Sequence, residues 1–268
     1  MIWVREVLSV SGEAHKQERK GLREMENLSY ISLSQQTALK RQMDIVANNI
    51  ANMSTPGFKS ESVLFEEYVR NSAGSQKDPS GEFSQVLDAG SWRNLEQGPL
   101  SFTNNPLDVA ITGDGYFAVE TPAGTRYTRA GNFSLNDQGE IVTAQGHKVI
   151  GDGGDLTIPE GESQIQIDKD GNVSTESGEI GKFKIVGFEN EQMLTSVGEN
   201  MYQAPADSEI EPENISVSQG AIEGSNVNSV VEMTRMIDIL RTYQQVQKFV
   251  QGDHDRQRSA IRTLSQVN

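Results

Sequence analysis

The chain has 268 residues, a net charge of −15 and no cysteine. This length suits one large or two modest domains, and the acidic balance argues against a nucleic-acid partner. The lack of cysteine excludes disulfides, thiol catalysis and cysteine-ligated zinc. No run in the sequence approaches the ~20 apolar residues of a membrane-spanning helix.

The first 24 residues differ in composition from the rest. They are mostly polar after residue 10, and Met25 opens a better N-terminus, MENLSY. The apolar start is interrupted by Arg5 and Glu6, and it lacks the unbroken apolar stretch and the cleavage site of a secretory signal. We therefore expect residues 1–24 to be a mis-assigned start, with translation beginning at Met25.

A narrow apolar stripe predicts the first helix, over about residues 29–53. The stripe advances by three and four residues, which is the spacing of one helix face. Its members are Leu39, Met43, Val46, Ile50 and Met53.

The end of this helix is marked by polar and turn-forming residues. Asn48, Asn49 and Asn52 lie beside the stripe, and we expect their amides to form hydrogen bonds across helices. Pro56 cannot continue the helix and Gly57 permits the turn that follows it. These two residues predict the point at which the chain leaves the helix.

The middle of the chain has the features of β structure. Residues 59–95 predict an arm or linker. A short helix and an extended arm both remain open for its first part, 59–70, and residues 71–82 are small and polar and predict a flexible loop. Strand candidates follow, rich in β-branched and aromatic residues and separated by glycine turns: 107–111, 116–120, 126–130 and 182–188.

Two segments within this region repeat each other. Residues 133–146 align without gaps to residues 165–178, and each has alternating apolar residues around a glycine turn. The pattern predicts one hairpin used twice, with a structural role and no chemical one.

A second narrow stripe predicts the last helix. Ser229 and Glu232 have the spacing of a capping box, which predicts a helix start at Ser229 and a helix running to about residue 264. The stripe consists of Met236, Ile239, Tyr243, Val246 and Val250. Matched stripes at the two ends indicate helices that pair with each other or with neighbouring subunits.

These elements define an α+β fold class. We expect N- and C-terminal helices forming a coiled-coil-like bundle, with a central all-β domain between them. The predicted boundaries are 25–58 for the first helix, 59–95 for the arm, 96–218 for the β domain and 219–268 for the last helix.

Motifs for chemistry are weak throughout the chain. Asp168, Asp170 and Asn172 imitate a calcium loop, but Val173 stands where that loop needs glycine, so a hairpin turn is the better interpretation. The three histidines have no partner at ligand or catalytic spacing. We expect no catalytic residue, no cofactor, no metal site and no enzymatic activity.

Three stretches resemble the flagellar rod and hook protein family. They are DIVANNIANMSTPGFK at 44–59, NPLDVAITGDGYFAV at 105–119 with YTRAGNF at 127–133, and GAIEGSNVN at 220–228. The similarity covers residues 25–268 in order. The short central region argues against a hook protein, which the resemblance implies would carry extra outer domains. The opening segment is most similar to the proximal-rod members, with the distal-rod members as the alternative.

The resemblance implies a structural subunit of the bacterial flagellar basal body, spanning the periplasm. It implies export through the flagellar type III apparatus, and assembly with copies of itself and with other rod subunits into a hollow, torque-transmitting shaft. No nucleic acid or membrane-embedded state is expected. The terminal helices would form the inner tube, so both stripes and Asn49 are candidate assembly contacts.

Two other classes of protein remain possible from the sequence. A secreted surface-binding module would also be acidic and rich in β structure, but it has no use for matched terminal stripes. A cell-wall hydrolase would need an acid–base pair in a cleft, and the sequence offers no motif for one.

Overall fold

The computed structural model describes residues 31–71, 82–162, 164–212 and 214–266. The predicted leader at 1–24 and most of the polar loop at 71–82 lie outside the described residues. The chain forms two compact units. None of the helices in the described part combines the length and apolar character that a membrane crossing requires.

The first unit contains the two helical segments and a ribbon. Helix α1 covers 31–51, and helix α2 covers Ser229–Gln266. Strands β1 (Glu61–Asn71) and β2 (Glu82–Arg93) pair as a two-stranded ribbon, so the arm is extended and not helical. The unit takes α1 up to Ala47, the ribbon from Val63 to Ser91, and α2 from Met233 onward.

The start of α2 corrects one detail of the sequence analysis. The side-chain oxygen of Asn228 accepts a hydrogen bond from the backbone N–H of Val231 (3.2 Å), and its carbonyl accepts one from Glu232 (3.0 Å). The capping residue is therefore Asn228, one position before the predicted Ser229. Asparagine and serine are equally good caps, and the helix itself begins at Ser229, as predicted.

The second unit is the β body, formed by Asn48–Ser62 and Trp92–Glu232. Over its described residues, this region contains 17 further strands, most of them short. They are β3 (Leu100–Phe102), β4 (Val109–Thr112), β5 (Tyr116–Thr121), β6 (Gly124–Thr128), β7 (Ser134–Leu135), β8 (Ile141–Val142), β9 (Lys148–Gly151), β10 (Gly154–Asp155), β11 (Gln166–Ile167), β12 (Asn172–Thr175), β13 (Gly178–Lys182), β14 (Ile185–Phe188), β15 (Thr195–Gly198), β16 (Met201–Gln203), β17 (Glu209–Ile210), β18 (Ser216–Gln219) and β19 (Ala221–Glu223).

The largest sheet has ten strands. Its main path runs β15-β16-β6-β5-β9-β8-β7, with β10 paired to β9 and β14 paired to both β5 and β17. Strands β11-β12-β13 form a second sheet, and β18 pairs with β4 while β19 pairs with β3. The last two pairings join the end of the β region to its beginning, which brings the segment before α2 next to the strands that follow β2.

The β body has two apolar cores. The larger core contains aromatic rings at Phe117, Phe133 and Phe183, which pack within 5.8 Å of each other. The smaller core is built around Tyr116 and Phe188. The strands predicted at 116–120 and 126–130 correspond to β5 and β6, at the centre of the main sheet.

The predicted repeat is confirmed in its register. Ser134 pairs with Val142 and Leu135 with Ile141, while Gln166 pairs with Ser174 and Ile167 with Val173. Asn136 and Asp168 occupy equivalent turn positions, and each side chain accepts hydrogen bonds from two backbone N–H groups that follow it. The calcium-like acids at 168–172 thus belong to a hairpin turn.

Candidate assembly surface and the turn after the first helix

Most residues of the two predicted stripes point away from solvent in the isolated chain. Leu39, Val46, Ile239 and Val246 are buried, and these four belong to the same compact unit. The partly buried stripe residues are Met43, Ile50, Met236, Tyr243 and Val250. Both stripes are therefore largely covered by the chain itself, and their role between subunits stays a prediction.

Two positions depart from the predicted pattern. Met53 lies after the end of α1 and is 43% exposed, whereas Ile45, which the sequence analysis did not single out, is buried. Ile45 lies next to Val46 on α1, so the covered face of this helix is wider than a strict stripe. This width is typical of the apolar face of a helix in a globular protein.

A second apolar stripe lies exposed on α2. Its residues advance by three, four and three positions and are between 44% and 72% exposed: Val230, Met233, Ile237 and Leu240. The sequence contains this spacing, but the prediction from sequence included only the buried stripe. An exposed row of large apolar side chains on a helix is typical of a protein–protein contact.

A buried amide connects the end of α1 to the first turn of α2. Asn49 is fully buried, donates hydrogen bonds to the Glu61 carbonyl (2.8 Å) and the Glu232 carboxylate (3.4 Å), and accepts one from the Glu61 N–H (3.0 Å). The predicted bond across helices is thus observed for Asn49. Asn52 bonds instead within its own turn, to the Asn48 carbonyl.

The turn after α1 is closely packed. Gly57 has a φ of +68°, and a Cβ atom there would lie 2.5 Å from the carbonyl carbon of Arg129. Its N–H donates to the Glu223 carbonyl (2.8 Å), and the carbonyl of Pro56 accepts from the Asn200 amide (2.6 Å). Only glycine satisfies both the left-handed backbone and the close approach.

A buried ionic cluster lies beside this turn. The ammonium of Lys59 is 2.7 Å from a carboxylate oxygen of Glu223, and it also donates to the Glu96 carbonyl (2.8 Å). The guanidinium of Arg129 approaches the other oxygen of Glu223 at 3.5 Å. Burial lowers the pKa of Lys59, and the adjacent Glu223 partly offsets that effect. Sequence analysis missed this cluster because its members lie far apart along the chain.

Comparison with known proteins assigns the class. Residues 30–59 match the family model described as flagella basal body rod protein, and residues 110–175 match the flagellar hook protein FlgE/F/G D1 domain. Residues 218–263 match the flagellar basal body rod FlgEFG protein C-terminal model. These three matches coincide with α1 and its turn, the centre of the β body, and the segment from β18 through most of α2.

Individual relatives agree with this assignment. The chain is 37% identical over 246 residues to the flagellar basal-body rod protein FlgF of Caulobacter vibrioides, covering 91% of this chain and 100% of the relative. It is 34% identical to FlgF of Mesorhizobium japonicum, over 90% of this chain and 98% of the relative. FlgG of Caulobacter vibrioides is 36% identical over 80% of this chain and 90% of the relative.

The chain belongs to the flagellar basal-body rod protein family, and it is a structural component of the basal body. Within that family the FlgF type is better supported than the FlgG type, because the FlgF relatives align over more of the chain. The prediction of a rod subunit is confirmed. The preference for the proximal-rod type, FlgF, over the distal-rod type, FlgG, is also confirmed.

Proposed function

We propose that this subunit assembles through its terminal helices, with copies of itself and with other rod subunits, into a hollow shaft that crosses the periplasm and transmits torque. The β body sets the spacing of subunits and faces outward. The chain reaches the shaft through the flagellar type III export apparatus. Its role is structural and involves no catalysis.

The observation that carries this proposal is the exposed stripe on α2, from Val230 to Leu240. The isolated chain leaves these side chains in water although it covers the other stripe of the same helix. Burial of a large apolar side chain contributes roughly 1.5–3 kcal/mol before entropy is subtracted. A neighbouring subunit that covers the exposed stripe would therefore gain substantial free energy.

The buried stripes have a second part in this mechanism. We propose that Leu39, Val46, Ile239 and Val246 hold the helical unit together so that it presents a rigid surface to its neighbours. Met43, Ile50, Met53, Met236, Tyr243 and Val250 remain proposed assembly contacts, since they lie beside these buried residues or near the end of α1. Asn49, which is fully buried, is proposed to contribute by fixing the end of α1 in place. Pro56 and Gly57 set the exit from α1.

The test is incorporation of Ile237→Asp into rods. Basal bodies are purified from cells that express this variant as their only copy, and the subunit is quantified by immunoblot. Gln245→Asp is the matched control, because residue 245 is an exposed position of α2 outside the stripe. The proposal predicts loss of incorporation for Ile237→Asp and normal incorporation for Gln245→Asp.

A folding control accompanies this test. Ile237 is 50% exposed, so Ile237→Asp should leave the melting temperature of the purified chain nearly unchanged. Ile50→Asp, at the helix root, should likewise block incorporation while the β body remains folded. Normal motility of either variant would contradict assembly through the terminal helices.

A further inference from the structure

The buried ionic cluster connects three separate segments of the chain. Lys59 belongs to the segment that leaves α1, Glu223 ends the strand that precedes α2, and Glu96 and Gly98 lie between β2 and β3. One carboxylate oxygen of Glu223 accepts both from Lys59 (2.7 Å) and from the N–H of Gly98 (3.0 Å). The cluster therefore connects the segment by which the chain enters the β body after α1 to the segment by which it leaves for α2.

The cluster is unusual in its burial. Lys59, Glu223 and Arg129 are each at most 4% exposed. Removing charges from water is costly, and an apolar set of similar volume is often as stable or more stable. Stability alone therefore does not explain three buried charges, whereas their directional hydrogen bonds define a specific geometry that apolar contacts do not define.

Main-chain hydrogen bonds surround the cluster and depend on the same geometry. The N–H of Gly57 donates to the Glu223 carbonyl (2.8 Å), and the N–H of Asn226 donates to the Phe58 carbonyl (3.3 Å). The Asn226 side chain also accepts from the N–H of Ser60 (2.7 Å). These bonds run directly between the segment after α1 and the segment before α2.

We propose that the ammonium of Lys59 is a positioning group, which locks the segment after α1 to the segment before α2 and so fixes both helix roots on the β body before any neighbour is bound. The charge of Lys59 is what performs this role. Its hydrocarbon stem alone, filling the same space, does not hold the two segments in register.

Removal of the Lys59 charge should leave the β body folded. If the Lys59 charge is removed, Arg129 still lies beside Glu223, so the carboxylate is not left without a cation. The larger apolar core, with Phe117 and Phe183, does not include Lys59. Loss of the ammonium should therefore weaken the contact between the segment after α1 and the segment before α2, and it should leave the apolar core intact.

The absence of cysteine from the sequence permits a matched chemical test. Lys59→Cys introduces a single thiol, which is alkylated in the unfolded full-length chain before refolding. Alkylation with 2-bromoethylamine rebuilds a side chain of lysine length with its ammonium, and alkylation with 1-bromopropane builds one of the same length without charge. Both forms fill the site, and only the charge differs.

Amide hydrogen exchange is the readout. The proposal predicts that the aminoethyl form protects the amides of Gly57 and Gly98 as the wild-type chain does, and that the propyl form loses this protection. The amide of Ala118, which donates to the Lys184 carbonyl in the main sheet, should stay protected in both forms. Equal protection of Gly57 and Gly98 in the two forms would overturn the proposal.

A second arm decides the question in cells if the alkylated chains do not refold. Lys59→Met is compared with Lys148→Met, a lysine paired to Glu140 on the surface of the β body. This arm rests on the proposed assembly, and it predicts that only Lys59→Met loses rod incorporation. Equal incorporation of Lys59→Met and Lys148→Met would overturn the positioning role of Lys59. This outcome is independent of the Ile237→Asp test, which concerns assembly through the helices.

Discussion

At the scale of single residues, the turn after α1 depends on a glycine that no other residue can replace without strain. Gly57 is required because a left-handed backbone there coincides with a close approach to Arg129. The sequence predicted the turn at Pro56 and Gly57, since proline and glycine act locally. It did not predict Lys59, Glu223 and Arg129 as a cluster, because only the folded chain brings them together.

Gly57→Ala should destabilise the chain by about 1–3 kcal/mol, since alanine is strained at this φ and its Cβ would clash with the backbone of Arg129. Urea unfolding at neutral pH measures the change. Gly153→Ala is the control, because nothing lies within 4 Å of a Cβ added there. Equal stability of the two variants would show that the turn is not constrained as described.

The buried phenol of Tyr116 should make the free energy of unfolding depend on pH above about pH 10. Burial, followed by the nearby Glu191 carboxylate, raises the pKa of this phenol above its ordinary value of 10.0. The folded chain thus keeps a proton that the unfolded chain loses, so the stabilising effect is complete below pH 10 and is lost as the pH rises further. The free energy of unfolding should fall with pH in that range.

Tyr116→Phe should make this alkaline fall less steep, by at most about 1.4 kcal/mol per pH unit. Urea unfolding at pH 8 and at several pH values above 10 measures the slope for both chains. An identical slope in the variant and in the wild type would mean that Tyr116 does not keep its proton preferentially in the folded chain.

At the scale of elements, the helices follow closely from the sequence. The three-and-four spacing located both helices, because one covered face leaves that period in the residues. The second stripe on α2 has the same spacing and was missed, since spacing does not distinguish a face covered by the chain itself from a face left for a partner. The β body was predicted as a class, but its strand pairing depends on contacts between distant residues.

Two isoleucines on α2 separate these two faces experimentally. Ile239 is 7% exposed and Ile237 is 50% exposed. Ile239→Ala should cost about 2–5 kcal/mol of unfolding free energy through lost packing, whereas Ile237→Ala should change it by less than about 0.5 kcal/mol. Thermal and urea unfolding of the purified chains measure both values, and similar losses in the two variants would contradict the assignment of faces.

At the scale of the whole molecule, the β body and the helical unit have different roles. The β body has its own apolar cores, and it includes the last residues of α1 and the first turn of α2, which Asn49 connects by a hydrogen bond to Glu232. The helical unit covers one stripe of α2 and leaves the other in water. The family assignment gives this exposed stripe its meaning, since a rod component has to present a surface to its neighbours.

Site-specific cross-linking in assembled basal bodies tests this division most directly. Because the chain has no cysteine, Ile237→Cys and Thr125→Cys each place one thiol, on the exposed stripe and on an exposed position of the β body. Each thiol carries a short photo-activated cross-linker. Assembly through the terminal helices predicts that a neighbouring subunit captures position 237 far more often than position 125. Efficient capture at 125 with none at 237 would contradict assembly through the terminal helices.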